Sequence, residues 1–148
     1  MMETKEVLKN LREARNLTQD QLAERVLVSR QAVSRWETGE TQPNTETLKL
    51  LSKEFDVSIN TLLGSPRQLV CQCCGMPLGE DGMISREPDG SFNEDYCRWC
   101  YVDGVFAYKT KASLLDFLVS HMPNPDQTPD EVRRTQFDGY LSQLKHWQ

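Results

Sequence analysis

Two Cys-x-x-Cys pairs, Cys71-Gln72-Cys73-Cys74 and Cys97-Arg98-Trp99-Cys100, restrict the folds open to the second half of this chain more than any other feature. Two residues between cysteines let both sulfurs of one tight turn face the same ion. Two such turns then build a tetrahedral thiolate shell with metal–sulfur distances of about 2.3 Å. Gly75 follows the first pair, where backbone amides must turn toward sulfur. Twenty-two residues separate the pairs, slightly more than is usual, and a hairpin with a longer tip absorbs the difference. All five cysteines fall in this half, and in a reducing compartment the pattern argues for metal before disulfides. Cys71, Cys74, Cys97 and Cys100 are therefore the candidate ligands, and zinc the expected structural ion. A closed four-sulfur shell leaves no position for a substrate water, so the metal is expected to serve folding and not catalysis. An iron–sulfur cluster is the less favoured occupant. Cys73 fits neither spacing and reads as a small buried or surface thiol beside the site.

The first half carries a different pattern, a run of short amphipathic helices. Val7, Leu11 and Ala14 recur at helical spacing with Leu8 beside them. Thr18 can cap a second helix, with Gln21 at the capping-box offset and Leu22, Ala23 and Val26 inside. Ser29 can cap a third, carrying Ala32, Val33 and Trp36 inward. Asn44 or Thr45 opens a fourth along Leu48, Leu51 and Phe55, and Ser58 a fifth with Ile59, Leu62 and Leu63. Gly64-Ser65-Pro66 breaks the pattern. The expected organisation is a five-helix domain over residues 1–64, a linker over 65–70, and a metal-bearing module over 71–148 that ends in two helices. The first of these two runs from about Lys111 to Met122. The second starts at Thr128-Pro129-Asp130-Glu131, with Thr128 as cap and Phe137, Tyr140, Leu144 and Trp147 as its stripe. The fold class is thus mainly α with a small metal ribbon.

Charge limits how such a chain could meet a polyanion. Its formal net charge is −5. Residues 1–65 hold nine Lys/Arg and ten Asp/Glu, and residues 66–148 hold eight and twelve. Nucleic-acid binding must then come from a local patch and not from bulk charge. No apolar run is long enough for a membrane span, and the first twenty residues lack the apolar core of a secretory signal, so a cytoplasmic location is expected. His121 and His146 read as satisfied or solvent-facing imidazoles. No phosphate loop, nucleophile elbow, metalloprotease helix or dinucleotide fingerprint is present, so an enzyme is the least favoured class.

The segment Ser29-Arg30-Gln31-Ala32-Val33-Ser34-Arg35-Trp36 offers the local patch. It pairs an apolar inner face with long polar side chains outward, and Arg and Gln can pair bidentately with guanine and adenine in the major groove. Ala23 supplies the small residue at which two closely crossing helices can meet.

Residues 5–63 resemble the helix-turn-helix of the phage repressor/Xre family. The likeness rests on Leu17-Thr18-Gln19-Asp20-Gln21-Leu22-Ala23 and on Val28-Ser29-Arg30-Gln31-Ala32-Val33-Ser34-Arg35-Trp36-Glu37-Thr38-Gly39, with the Pro43 region and the Leu48-to-Leu63 helices completing it. The resemblance implies a recognition helix over 29–37. Gln19 would clamp a phosphate, and Arg30, Gln31 and Arg35 would face base edges with Ser34 near them. Ser29 would cap the helix and reach the backbone, and Thr38 and Thr41 would lie where the following loop meets phosphate. The family supplies general examples of helix-turn-helix docking. Two departures stand out. Leu27 occupies a turn position where the family often has Gly; a left-handed residue there would cost roughly 1–2 kcal/mol unless the turn is built differently. Glu37 and Glu40 sit near the expected phosphate path and would weaken binding.

Residues 71–147 also resemble a zinc-ribbon family of bacterial proteins through Cys71-x-x-Cys74-Gly75-Met76-Pro77-Leu78, Asn93-Glu94-Asp95-Tyr96-Cys97-x-x-Cys100-Tyr101, Asp103-Gly104-x-Phe106 and the closing Leu144-Lys145-x-Trp147. That likeness implies a fold and ligands but little function. Together the two halves lead to the expectation of a transcription regulator that binds double-stranded DNA as a homodimer, away from membranes. Its zinc module would dimerise it, bind a protein partner or sense a signal. Two alternatives remain open: a thiol- or metal-responsive sensor, motivated by Cys73, and a protein-binding adaptor that no longer reads DNA, motivated by the two glutamates.

Overall fold

Leu8 anchors the first helix, α1 (Thr4–Ala14), and is fully buried, whereas Ala14 is exposed. The inner stripe therefore runs through Thr4, Leu8 and Leu11, one step round from the Val7–Leu11–Ala14 line, because a helix of 3.6 residues per turn centres its buried face on the bulkier side chain. This computed structural model describes residues 2–148. Four further helices follow: α2 (Gln19–Arg25), α3 (Arg30–Thr38), α4 (Thr45–Phe55) and α5 (Ile59–Leu62).

Their starts are set by side-chain caps that occupy orphan N–H groups of each first turn. Thr18 Oγ1 accepts from Gln21 N while Gln21 Oε1 accepts from Thr18 N, a complete capping box. Ser29 accepts from Ala32 N, Asn44 from Thr47 N and Ser58 from Thr61 N. Leu8, Leu22, Val26, Val33, Trp36, Leu51, Phe55 and Leu62 form one core, with α1 and α2 both packed on α3. Leu27 does adopt the left-handed conformation, at φ +60°, and is 82% exposed. The turn is thus left-handed at a residue that carries a Cβ.

The chain divides into two compact units, one drawn from residues up to Gln68 together with Gly90–Phe92 and the other from Leu69–Asp89 and Asn93–Gln148. The second unit adds two small strand pairs to its helices, so the expectation of a mainly α chain is met only in part. Strand β1 (Ile84–Arg86) pairs with β2 (Phe92–Cys97), and β3 (Tyr101–Val102) pairs antiparallel with β4 (Val105–Phe106), placing Tyr101 opposite Phe106. The helices α6 (Lys111–His121) and α7 (Asp130–Leu141) pack on each other.

Thr128 does not cap α7. Pro129 holds the cap position with no side-chain bond, and Asn124 takes both backbone groups of Thr128 at 3.0 and 2.9 Å. A buried Arg133 donates to the carbonyls of Val119, Met122 and Pro123, closing the end of α6 in place of a glycine cap. Helix α7 stops at Leu141, and Trp147 lies in a 3-10 turn, Lys145–Trp147. The expected stripe from Phe137 to Trp147 is therefore broken. Leu141 and Leu144 are buried, while Tyr140 is largely exposed. Among the described residues no helix is long and apolar enough to cross a membrane.

Candidate functional site

Helix α3 buries Val33 and Trp36 and turns Arg30, Gln31 and Arg35 to solvent, with Ser34 half-buried between them. These four sit on the face opposite the core, as the 3.6-residue period requires. The helix is fixed at both ends. The Ser29 hydroxyl accepts from Ala32 N at 3.2 Å, and Gly39 ends the helix at φ +83°. Thr38 bonds its own helix through Oγ1 to Arg35 O, and Thr41 lies exposed in the loop beyond.

A part-buried ion pair adds a third restraint. Arg12 of α1 donates Nε and Nη2 to the two carboxylate oxygens of Glu37 at 2.8 and 2.9 Å, and its Nη1 to Leu17 O at 2.7 Å. The Glu37 side chain is only 5% exposed. The Glu37 hydrogen bond raises the Arg12 pKa above its ordinary value, against the opposing effect of burial. Glu37 thus points inward, and the expectation that it crowds the outer path is corrected: its charge is used to tie α3 to α1. Gln19, at the start of α2, donates Nε2 to the same carboxylate at 3.4 Å, so the pair also steadies Gln19 beside α3. Glu40 is exposed and lies 4.0 Å from Arg35. The role of Arg12 is not legible in the sequence. An arginine in an amphipathic helix reads as a solvated face, and its partner stands 25 residues away.

The second site is the sulfur cluster. Residues Val70 and Pro77 bridge across the first Cys-x-x-Cys turn, which holds it on a narrow hairpin. The second turn joins β2, which ends at Cys97, to β3, which begins at Tyr101. The Sγ atoms of Cys71, Cys74, Cys97 and Cys100 all lie within 4.8 Å of one another. The Cys74–Cys97 separation is 3.8 Å; a tetrahedron with arms of about 2.3 Å has edges of about 3.8 Å, so the donor set fits zinc. Cys73 N and Cys74 N both donate to Cys71 Sγ, at 3.4 and 3.5 Å, the arrangement a thiolate requires. Gly75 reaches φ +81°, and its N–H closes the turn on Cys71 O at 2.8 Å.

Thiol hydrogen bonds, that from Cys100 foremost, hold the Cys71 pKa below its ordinary value, while the Cys71 contact drives that of Cys100 up. Four sulfurs this close cannot all carry charge without a cation among them. The four cysteines form a structural zinc site, and the ion would supply charge neutralisation and a cross-link between the two turns. Cys73 is fully buried. Neither histidine is among the clustered ligands: exposed His121 stacks on Phe117 at 4.3 Å, and half-buried His146 packs among Tyr96, Phe106 and Trp147.

Comparison with known proteins matches each half separately. Residues 70–148 match the family described as "Putative zinc ribbon domain", and residues 8–62 match the helix-turn-helix family. The first match spans more than half the chain, and the protein belongs to the zinc ribbon family, while its first half is similar to the helix-turn-helix family. An HTH-type transcriptional activator, BcrR of Enterococcus faecalis, is 55% identical over 62 residues, which are 42% of this chain and 30% of that protein. The chain thus spans under a third of that relative's length. A crystal structure of the P22 c2 repressor with a synthetic operator is 36% identical, covers 43% of this chain and 96% of its own, and superposes with a TM-score of 0.41. A transcriptional regulator from Listeria innocua is 20% identical over 95% of this chain and 92% of its own, with a TM-score of 0.42.

Proposed function

We propose that the protein is a sequence-specific transcription regulator that places α3 in the major groove of double-stranded DNA. The observation that carries this reading is the rigid mounting of that helix: the Ser29 cap, the Gly39 stop and the Arg12–Glu37 pair hold Arg30, Gln31, Ser34 and Arg35 outward together. Recognition of base edges by hydrogen bonds needs donors held at fixed positions, which a loose helix does not provide. In this reading Arg30, Gln31 and Arg35 meet bases with Ser34 close by. Gln19, Ser29, Thr38 and Thr41 meet the sugar–phosphate backbone.

The inward turn of Glu37 removes one of the two charges that favoured an adaptor that no longer reads DNA. The 55% identity over 62 residues to an HTH-type transcriptional activator supports the same reading. A homodimer would read two half-sites about one helical turn apart. The zinc ribbon with α6 and α7 would be the part that dimerises, binds a protein partner or senses a signal, in the cytoplasm beside the DNA.

Selection from random duplexes with the full chain tests the proposal. A recovered, enriched motif supports it. Retention of DNA at low salt with no preferred sequence contradicts it and favours the adaptor reading.

A further inference from the structure

After α7 the chain does not continue as a helix. It returns to the first cysteine turn and holds that turn by its backbone. Trp147 Nε1 donates to Cys73 O at 2.7 Å, and His146 N donates to Gln72 O at 3.1 Å. The Gln72 side chain answers, its Oε1 accepting from Lys145 N at 3.0 Å. Lys145 Nζ reaches Asp95 at 3.1 Å, and Tyr140 bonds Gly75 O at 3.0 Å.

The peptide units involved explain why this matters. The peptide joining Gln72 to Cys73 gives its N–H to Cys71 Sγ and its carbonyl to His146. The next peptide, joining Cys73 to Cys74, gives its N–H to the same sulfur and its carbonyl to the Trp147 indole. Each peptide is therefore pinned from both sides, sulfur on one and the 3-10 turn on the other. A bond at a carbonyl fixes the plane of its peptide and strengthens the N–H opposite as a donor. Partners one layer out orient metal ligands and tune them in this way.

We propose that Trp147, with the His146 amide and the Gln72 side chain, forms an outer layer of the zinc site. It aims the two N–H groups that stabilise the Cys71 thiolate, so metal affinity depends on the docked Lys145–Trp147 turn. Conversely, that turn stays docked only while the metal holds the cysteine turn in shape.

The test uses the full chain loaded with zinc and titrated against a chromophoric chelator. Trp147→Phe keeps an aromatic ring and removes the donor; its zinc dissociation constant is expected to rise about tenfold. Gln72→Ala, which alters a side chain outside the core, is expected to move the constant the same way by a smaller factor, and it decides the matter if Trp147→Phe does not fold. Arg134→Ala removes an ion pair to Asp116 between α6 and α7, away from the cysteine turn, and is expected to leave affinity unchanged. In cobalt-loaded protein, Trp147→Phe should shift the thiolate charge-transfer band and Arg134→Ala should not. Hydrogen exchange should show the His146 amide losing protection when metal is removed. Wild-type affinity in both Gln72→Ala and any folded Trp147→Phe, an equal loss in Arg134→Ala, or a His146 amide still protected without metal would overturn the proposal.

Discussion

Arg12 and Glu37 meet through two hydrogen bonds of 2.8 and 2.9 Å across 25 residues of chain, joining the first helix to the end of the third. Removing one partner of a buried pair leaves the other charge uncompensated, which is costly, whereas replacing both with apolar residues is much less so. Glu37→Ala should destabilise the first unit by about 3 kcal/mol, and Arg12→Met with Glu37→Leu should recover most of that. Urea unfolding followed by helical circular dichroism measures both; a loss below about 1 kcal/mol in the single variant contradicts the burial argument. Because the pair raises the Arg12 pKa, its contribution is fully present below the ordinary arginine range and fades only as pH rises through the folded value. Arg12 should therefore add no pH dependence to stability around neutrality.

Leu27 gives an opposite prediction. It holds φ +60° and is 82% exposed, so it carries left-handed strain while contributing little packing. Leu27→Gly removes a penalty of roughly 1–2 kcal/mol and adds unfolded-chain entropy worth somewhat less. A net gain of about 0.5 kcal/mol, seen as a higher urea midpoint, is expected. A clear drop would show that the leucine side chain has a partner that the isolated chain lacks.

What could be read in advance follows from the range of the interactions. The caps at Thr18, Ser29 and Ser58 and the spacing within each Cys-x-x-Cys pair are local, set by residues two or three positions apart; the three caps form, and the four sulfurs cluster. The inward turn of Glu37 was hidden, because nothing near it in sequence shows that Arg12 will stand beside it. Thr128 and the Phe137-to-Trp147 stripe were misread for a related reason. Local cap chemistry and helical period gave way to Asn124 and to the bonds that draw Lys145, His146 and Trp147 onto the cysteine turn. The eight residues proposed to meet DNA are legible as a pattern, and their proposed roles follow from the resemblance.

Metal removal should separate the two halves. A strong zinc chelator should release one equivalent of zinc per chain and unfold the second unit, since small turns cannot hold a core without the ion. The first unit, with its own core, should still unfold cooperatively. Near-unchanged near-ultraviolet signals from Tyr96, Tyr101 and Trp147 after chelation would contradict this.

Ligand assignment can be checked one cysteine at a time. Cys73→Ala should retain a full equivalent of zinc, because its sulfur lies outside the cluster of four. Cys97→Ala should lose it. Gly75→Ala should bind zinc more weakly than wild type, since its φ is +81° and a Cβ there would run into the Tyr140 ring. Metal content by mass spectrometry of the native proteins decides all three.

The outward side chains of α3 are proposed to read bases. The most direct test is to measure Arg30→Ala and wild type against every single-base variant of the selected site at fixed salt. Arg30→Ala should lose discrimination at one base pair, with about 1–3 kcal/mol of preference gone there and the other positions intact. A uniform loss across all sites would place Arg30 on phosphate, and unchanged binding would remove α3 from the interface and contradict the account.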